Sequence, residues 1–132
     1  MCLRHIFFGK TGEFDKLFLN RRVSRLFMFR VVGTKTYLGE VDDLPKDYRD
    51  IVEDLPKKLA ENPFQGDQLS YPFLREKRIK EKRVYYLIYE DLKLILLVAV
   101  SGKKDQQETI DHIKEQLDEY KIIAEQISKQ VS

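Results

Sequence analysis

The stretch from Leu26 to Val32 is apolar at every position except Arg30 and stops at Gly33. Its Phe and Val content reads as a strand. Thr34 is placed to cap the next segment, where Tyr37, Leu38, Val41 and Leu44 recur at helical spacing. Pro45 stops that helix and suits the opening of another. In the second helix Tyr48, Ile51, Val52 and Leu55 share one face, with acids opposite. Pro56 must kink this helix or begin a third one ending near Asn62-Pro63. The run Asn62-Pro63-Phe64-Gln65-Gly66-Asp67 then reads as a loop.

The second half turns to β and then to α. Tyr71 to Leu74 is short and apolar, and Arg83 to Glu90 is dominated by residues that suit a pleated sheet. Leu92 to Val100 is the most apolar segment and predicts a central strand buried on both faces. Glu90-Asp91 reads as a tight turn, so these two strands pair antiparallel with residue 83 near residue 98. From Lys104 onward the pattern is helical and free of Gly and Pro. The order strand, two or three helices, three strands, helix predicts an α+β fold. It has a small antiparallel-rich sheet of about four strands, helices on one face and a long C-terminal helix.

That helix carries Ile110, Ile113, Leu117, Tyr120, Ala124, Ile127 and Val131 as an unbroken heptad seam. It can pack on its own sheet. A helix of about 25 residues would reach near 37 Å, longer than such a sheet, so part of the seam is expected to meet a second copy. Before the first strand, Phe14, Leu17 and Phe18 fit a short amphipathic turn that Asn20-Arg21-Arg22 breaks. A basic arm and a small packed helix both fit residues 1–27.

Composition narrows the classes. Of the 132 residues only Cys2 is a cysteine, so no disulfide framework is available and a reducing, cytoplasmic setting is expected. The two histidines, His5 and His112, lie far apart without cysteine company, so no metal site and no cofactor is expected. No apolar run approaches the roughly 18 residues of a membrane span. Net charge is only +2, but it is segregated: residues 4–30 hold seven bases and two acids, residues 40–61 eight acids and four bases, and residues 75–83 six bases and two acids. Such segregation predicts a basic side and an acidic side.

The candidate chemistry sits in Arg75-Glu76-Lys77-Arg78-Ile79-Lys80-Glu81-Lys82-Arg83 and the strand after it. Alternation turns Val84, Tyr86 and Ile88 to the core and Arg83, Tyr85, Leu87 and Tyr89 to an open face. Lys103 and Lys104 then fall near the Arg78–Lys82 turn. Cations beside an aromatic ring can neutralise phosphate and stack an unpaired base. Keeping a strand turn soluble accounts for the same residues.

The order of elements, the Leu44-Pro45 step, the Leu59-Ala60-Glu61-Asn62-Pro63-Phe64 helix end and the run from Arg78 to Tyr86 resemble the RelE/ParE toxin superfamily. The likeness runs from about Met28 to Tyr120. It implies an extension over 1–27, a toxin domain over 28–120, and a helix end over 121–132 open to an interaction role. It also implies a ribosome-dependent mRNA endoribonuclease without metal, in which the RNA 2′-hydroxyl attacks the neighbouring phosphate and basic groups stabilise the added charge. Carried over, Arg83 matches the family's strand arginine, Arg78 the base five positions earlier, and Lys104 or Lys103 the arginine after the last strand. Arg75 and Lys77 resemble the family's Lys-x-Lys pair, one position off when the register is anchored on Arg83. Lys80, Lys82 and Tyr85 complete the expected RNA-contacting set.

The implied partners are mRNA on the ribosome and an antitoxin encoded nearby. A homodimer through Ile113, Leu117, Tyr120, Ala124 and Ile127 is expected from the seam. Two departures stand out. The family's C-terminal tyrosine falls near Thr109, the nearest Tyr being Tyr120, and Lys80-Glu81-Lys82 replaces the usual Gly-containing turn. A non-catalytic, ParE-like or inactive relative that works by binding is the alternative.

Overall fold

The structure is a computed structural model that describes residues 29–131. The arm expected over residues 1–27, with Cys2, His5 and the Phe14–Phe18 turn, lies outside them. Within them β1 (Arg30–Gly33) leads into α1 (Lys35–Asp42) and α2 (Lys46–Glu61). Next come β2 (Asp67–Gln68), β3 (Leu74–Ile79), β4 (Lys82–Tyr89), β5 (Leu94–Gly102), α3 (Gln106–Glu115) and α4 (Leu117–Val131). The chain is α+β, with a five-stranded sheet in the order β1-β5-β4-β3-β2. β1 runs parallel to β5 and every other pair is antiparallel. Among the described residues no helix is long and apolar enough to cross a membrane.

The local chemistry explains the first helices. Thr34 Oγ1 accepts a hydrogen bond from the Tyr37 amide at 3.2 Å, which caps α1. Pro45 sits at the N-cap of α2, where its missing N–H costs nothing. Pro56 neither ends the helix nor starts a third, since α2 runs through it. Pro56 is buried with Val52, Leu55, Leu59 and Ala60, so packing against the sheet holds the turn whose hydrogen bond is absent. These residues cover Val31, Ile79, Val84, Tyr86, Ile88, Ile95 and Leu97 on one face of the sheet.

The strands depart from expectation in three places. β3 occupies the charged run, while Tyr71 to Phe73 form a turn before it whose Tyr71 and Phe73 rings stack at 5.1 Å. The strand was hidden because its inward positions are Leu74 and Glu76 on one side and only Ile79 on the other. β2, two residues long, adds a fifth strand. The β4–β5 link spans Glu90–Lys93, with a 3-10 turn and Lys93 in the left-handed region at φ 53°. This longer link, together with a β-bulge between Tyr85 and Tyr86, sets Arg83 opposite Ser101 and not residue 98. The β3–β4 turn is Lys80-Glu81, with Lys80 left-handed at φ 54° in place of a glycine.

The C-terminal helix is also two helices, parted at Gln116. The predicted seam does not wait for a second copy: Ile113, Ala124 and Ile127 are fully buried, and Leu117 and Tyr120 pack partly buried on the same cluster. They cover the second face of the sheet, made of Leu74, Tyr85, Leu87, Leu94, Leu96 and Val98. The break keeps both halves over a sheet that one straight helix would overshoot. The homodimer expected through Ile113, Leu117, Tyr120, Ala124 and Ile127 is not shown; these side chains pack on the chain's own sheet.

Two glycines make opposite predictions. A Cβ on Gly66 would lie 2.7 Å from the Tyr86 hydroxyl and 2.8 Å from the Glu76 carbonyl oxygen. The Gly66 amide also donates to that hydroxyl at 3.0 Å. Gly66→Ala should therefore lose about 1–3 kcal/mol of stability. Gly39 lies in α1 with nothing within 4 Å of an added Cβ, so Gly39→Ala should gain about 0.5–1 kcal/mol. Urea midpoints of the two variants check the signs.

Candidate functional site

The charged cluster is built where β3, β4 and β5 meet the start of α3. Register sets Glu76 beside Tyr85, and Arg78, Arg83 and Ser101 in one row across three strands. Paired residues point to the same side, so this row lies on the face that α3 and α4 cover. Arg83 is only 4% exposed and Glu76 only 7%. Arg83 Nε stands 3.6 Å from Glu76 Oε2 and makes no hydrogen bond. Gln106, in the first turn of α3, donates to the same oxygen at 2.6 Å. The Tyr85 and Ser101 hydroxyls lie 2.8 Å apart, and the Ser101 hydroxyl also reaches the Gly102 carbonyl at 3.1 Å. Burial pushes the Tyr85 phenol above its ordinary range, and the Glu76 carboxylate adds to the rise.

This arrangement corrects the expectation of an open face. Arg83 and Tyr85 do point away from Val84, Tyr86 and Ile88, but both sit under the protein's own last helices. The face is too apolar to be left to water, and a buried arginine then requires a counter-charge. Glu76 supplies it. Sequence reasoning missed Glu76, Gln106 and Ser101 as members of the cluster. The one signal was Glu76 standing at an inward position of a strand that had not been recognised.

The other cations do not share one surface. Lys77 pairs with Val84 and so belongs to the α1–α2 side of the sheet. Arg75 is held by the Pro72 carbonyl at 2.9 Å and the Gly66 carbonyl at 3.2 Å, over the Phe64 ring. Lys80 binds Asp47 at 3.2 Å and lies over the Tyr48 ring. That bond holds the exposed Asp47 carboxyl below its ordinary range. Lys82 is half-buried beside Gly102. Arg78, Lys80, Lys103 and Lys104 are exposed; with Lys80 tied to Asp47, the other three remain at one end of the sheet. Arg78 stands two strands from Ser101, about 10 Å by strand spacing.

Chemically, the buried cluster can orient and neutralise its own groups, while the exposed trio can meet an anion. Among the described residues no group of three or more His, Cys, Asp or Glu side chains could hold a metal ion. Thr109 and His112 lie on α3, Thr109 half-buried and His112 exposed.

Removing one partner of the buried pair should be far worse than removing both. Glu76→Leu leaves the Arg83 charge uncompensated and should cost about 3–5 kcal/mol. Adding Arg83→Met should restore most of that. A double-variant loss equal to the sum of the Glu76→Leu and Arg83→Met losses, read from urea midpoints at constant slope, would show that the two side chains are not coupled.

No family model matches the chain, and no curated protein does. Solved structures do match its fold. A chain of the Mycobacterium tuberculosis RelBE2 toxin–antitoxin complex is 19% identical, with a TM-score of 0.52 over 58% of this chain and 99% of that one. An E. coli toxin RelE carrying two arginine-to-alanine substitutions, in the free state, is 14% identical, with a TM-score of 0.54 over 65% and 97%. A chain of the intact E. coli RelBE complex is 14% identical, with a TM-score of 0.51 over 57% and 95%. Nearly the whole of each neighbour is matched, whereas a third or more of this chain lies beyond the match. The architecture of this chain is therefore the RelE-like toxin fold.

Proposed function

We propose that this chain is the toxin of a toxin–antitoxin pair and that it acts in the cytoplasm by binding a macromolecular target rather than by cutting RNA with Arg83. The RelE-like fold supports the toxin reading. Two of the neighbours are described as toxin–antitoxin complexes, which supports a small antitoxin protein as the natural partner here. The observation that carries the binding mode is the sealed arginine. A side chain that is 4% exposed and set against Glu76 reaches no phosphate in this packing. The transition state of RNA cleavage gains only from charges aimed at the developing anion.

A second reading is a ribosome-dependent, metal-independent mRNA endoribonuclease. It is favoured by the exposed Arg78, Lys103 and Lys104 at one sheet end, where a phosphate could be met without unpacking the core. Here Arg78 and Lys104 would stabilise the transition state, and Lys103 would hold the backbone.

Induced expression of the full chain separates the two. The binding reading expects growth arrest with intact transcripts, relieved by co-expression of the adjacent small reading frame. Transcripts with new 2′,3′-cyclic phosphate ends, reduced about 10²–10³-fold by Arg78→Ala or Lys104→Ala, would establish cleavage instead. Unimpeded growth at high expression would overturn the toxin reading itself.

A further inference from the structure

The other end of the sheet carries a surface that the proposed toxin chemistry does not use. From Arg83 to Ile88 is five residues along β4, roughly 17 Å. There a groove of about 700 Å³ opens between the Glu90–Leu92 turn, the Pro72-Phe73 turn and the first half of α4. Its volume lies in the ~300–1,000 Å³ range of ligand-binding clefts. Phe64, Phe73, Leu92 and Leu117 form its apolar wall, and Phe64 and Phe73 are 43% and 37% exposed. Tyr71, 38% exposed, stacks on Phe73 and widens the aromatic surface outward.

The rim is acidic. Among the described residues that line the groove, Glu90, Asp91, Asp118 and Glu125 are acidic and Lys121 alone is basic. The charge decides the class of occupant. Four carboxylates repel a phosphate backbone, so exposed aromatic rings here are no platform for nucleic acid. A purely apolar ligand would leave the rim without counter-charge. Cations that also carry apolar surface satisfy both features. The aromatic wall can take a cation directly, as Arg75 over the Phe64 ring at 5.1 Å already shows.

We infer that this groove docks a basic peptide segment of a partner protein, with aromatic or aliphatic anchors on Phe64, Phe73, Leu92 and Leu117 and Lys or Arg side chains on Glu90, Asp91, Asp118 and Glu125. The surface lies apart from Arg78, Lys103 and Lys104, so the inference does not depend on the toxin reading. Electrostatic complementarity of this kind makes the association salt-dependent.

The test uses the full chain and a panel of fluorescein-labelled hexapeptides, each with two Phe or Leu anchors among Lys and Arg. The same peptides with Glu in place of the bases are the control. Saturable anisotropy changes with the basic peptides, weakened tenfold or more by Glu90→Lys with Asp91→Lys and by raised salt, are the expected result. Both substitutions are at exposed positions, and an unchanged melting temperature confirms the fold. A readout independent of any variant is amide shift mapping on the unmodified chain. Shifts should centre on residues 64, 73, 90–92 and 117–125.

No saturable binding by any basic peptide up to ~1 mM overturns the inference. Equal binding of the acidic peptides, or shifts confined to the Lys103–Lys104 end, overturns it too. So does a mass that doubles with concentration and reverts with Phe73→Ser, since a second copy would then fill the groove.

Discussion

Water can be allowed on neither side of the sheet, and most of the architecture answers that constraint. β4 carries Val84, Tyr86 and Ile88 on one side and Tyr85 and Leu87 on the other, and β5 is apolar from Leu94 to Val98. Each face therefore needs its own helical cover. α1 and α2 cover one side, and α3 and α4 the other. A three-layer body with β5 between β1 and β4 is the outcome, and polar groups that fall on either face must find partners inside it. Glu40 shows the same rule at the margin. β1 stops opposite Leu97, and the Glu40 carboxylate takes the Val100 amide beyond it at 2.9 Å. Burial pushes that carboxyl above its ordinary range.

The rule also decides the fate of the most suggestive residue in the sequence. An arginine in the middle of a conspicuous basic run invites a role on the surface. Its position in the register instead sends it under α3, where its charge becomes a structural demand met by Glu76, whose carboxylate also accepts from Gln106. Breaking such a pair is costly even where forming it contributes little net stability. The cluster thus fixes where the first turn of α3 lands, and ties the cover of the second face to the hairpin of β3 and β4.

Much of the fold could be read from the residues because the informative positions were local. Thr34 capped α1 as its side chain suggested, Pro45 divided two helices, and β4 alternated as its apolar spacing required. What escaped was decided by partners distant in the chain. β3 looked like a charged linker because a buried carboxylate stood where an apolar residue was expected. The Ile110-to-Ile127 stripe looked like an association seam because nothing in its spacing marks the bend at Gln116. The supposed site was half legible: the side on which Arg83 stands followed from alternation, but the helices that close that side did not. Lys77 and Arg75 were grouped with it by proximity in sequence, although adjacent strand residues face opposite ways.

The bulge at Tyr85 and Tyr86 shows how much can hang on a single position. Val98 is the extra residue in β5, and beyond it the parity of the strand is inverted. With an even ladder, Val100 and not Ser101 would stand opposite Arg83, and a branched hydrocarbon would meet the guanidinium where a hydroxyl now sits beside Tyr85. Everything downstream would leave the sheet turned through half a pleat. One inserted residue therefore acts as a switchyard: it routes Ser101 inward and sets the bearing on which α3 departs.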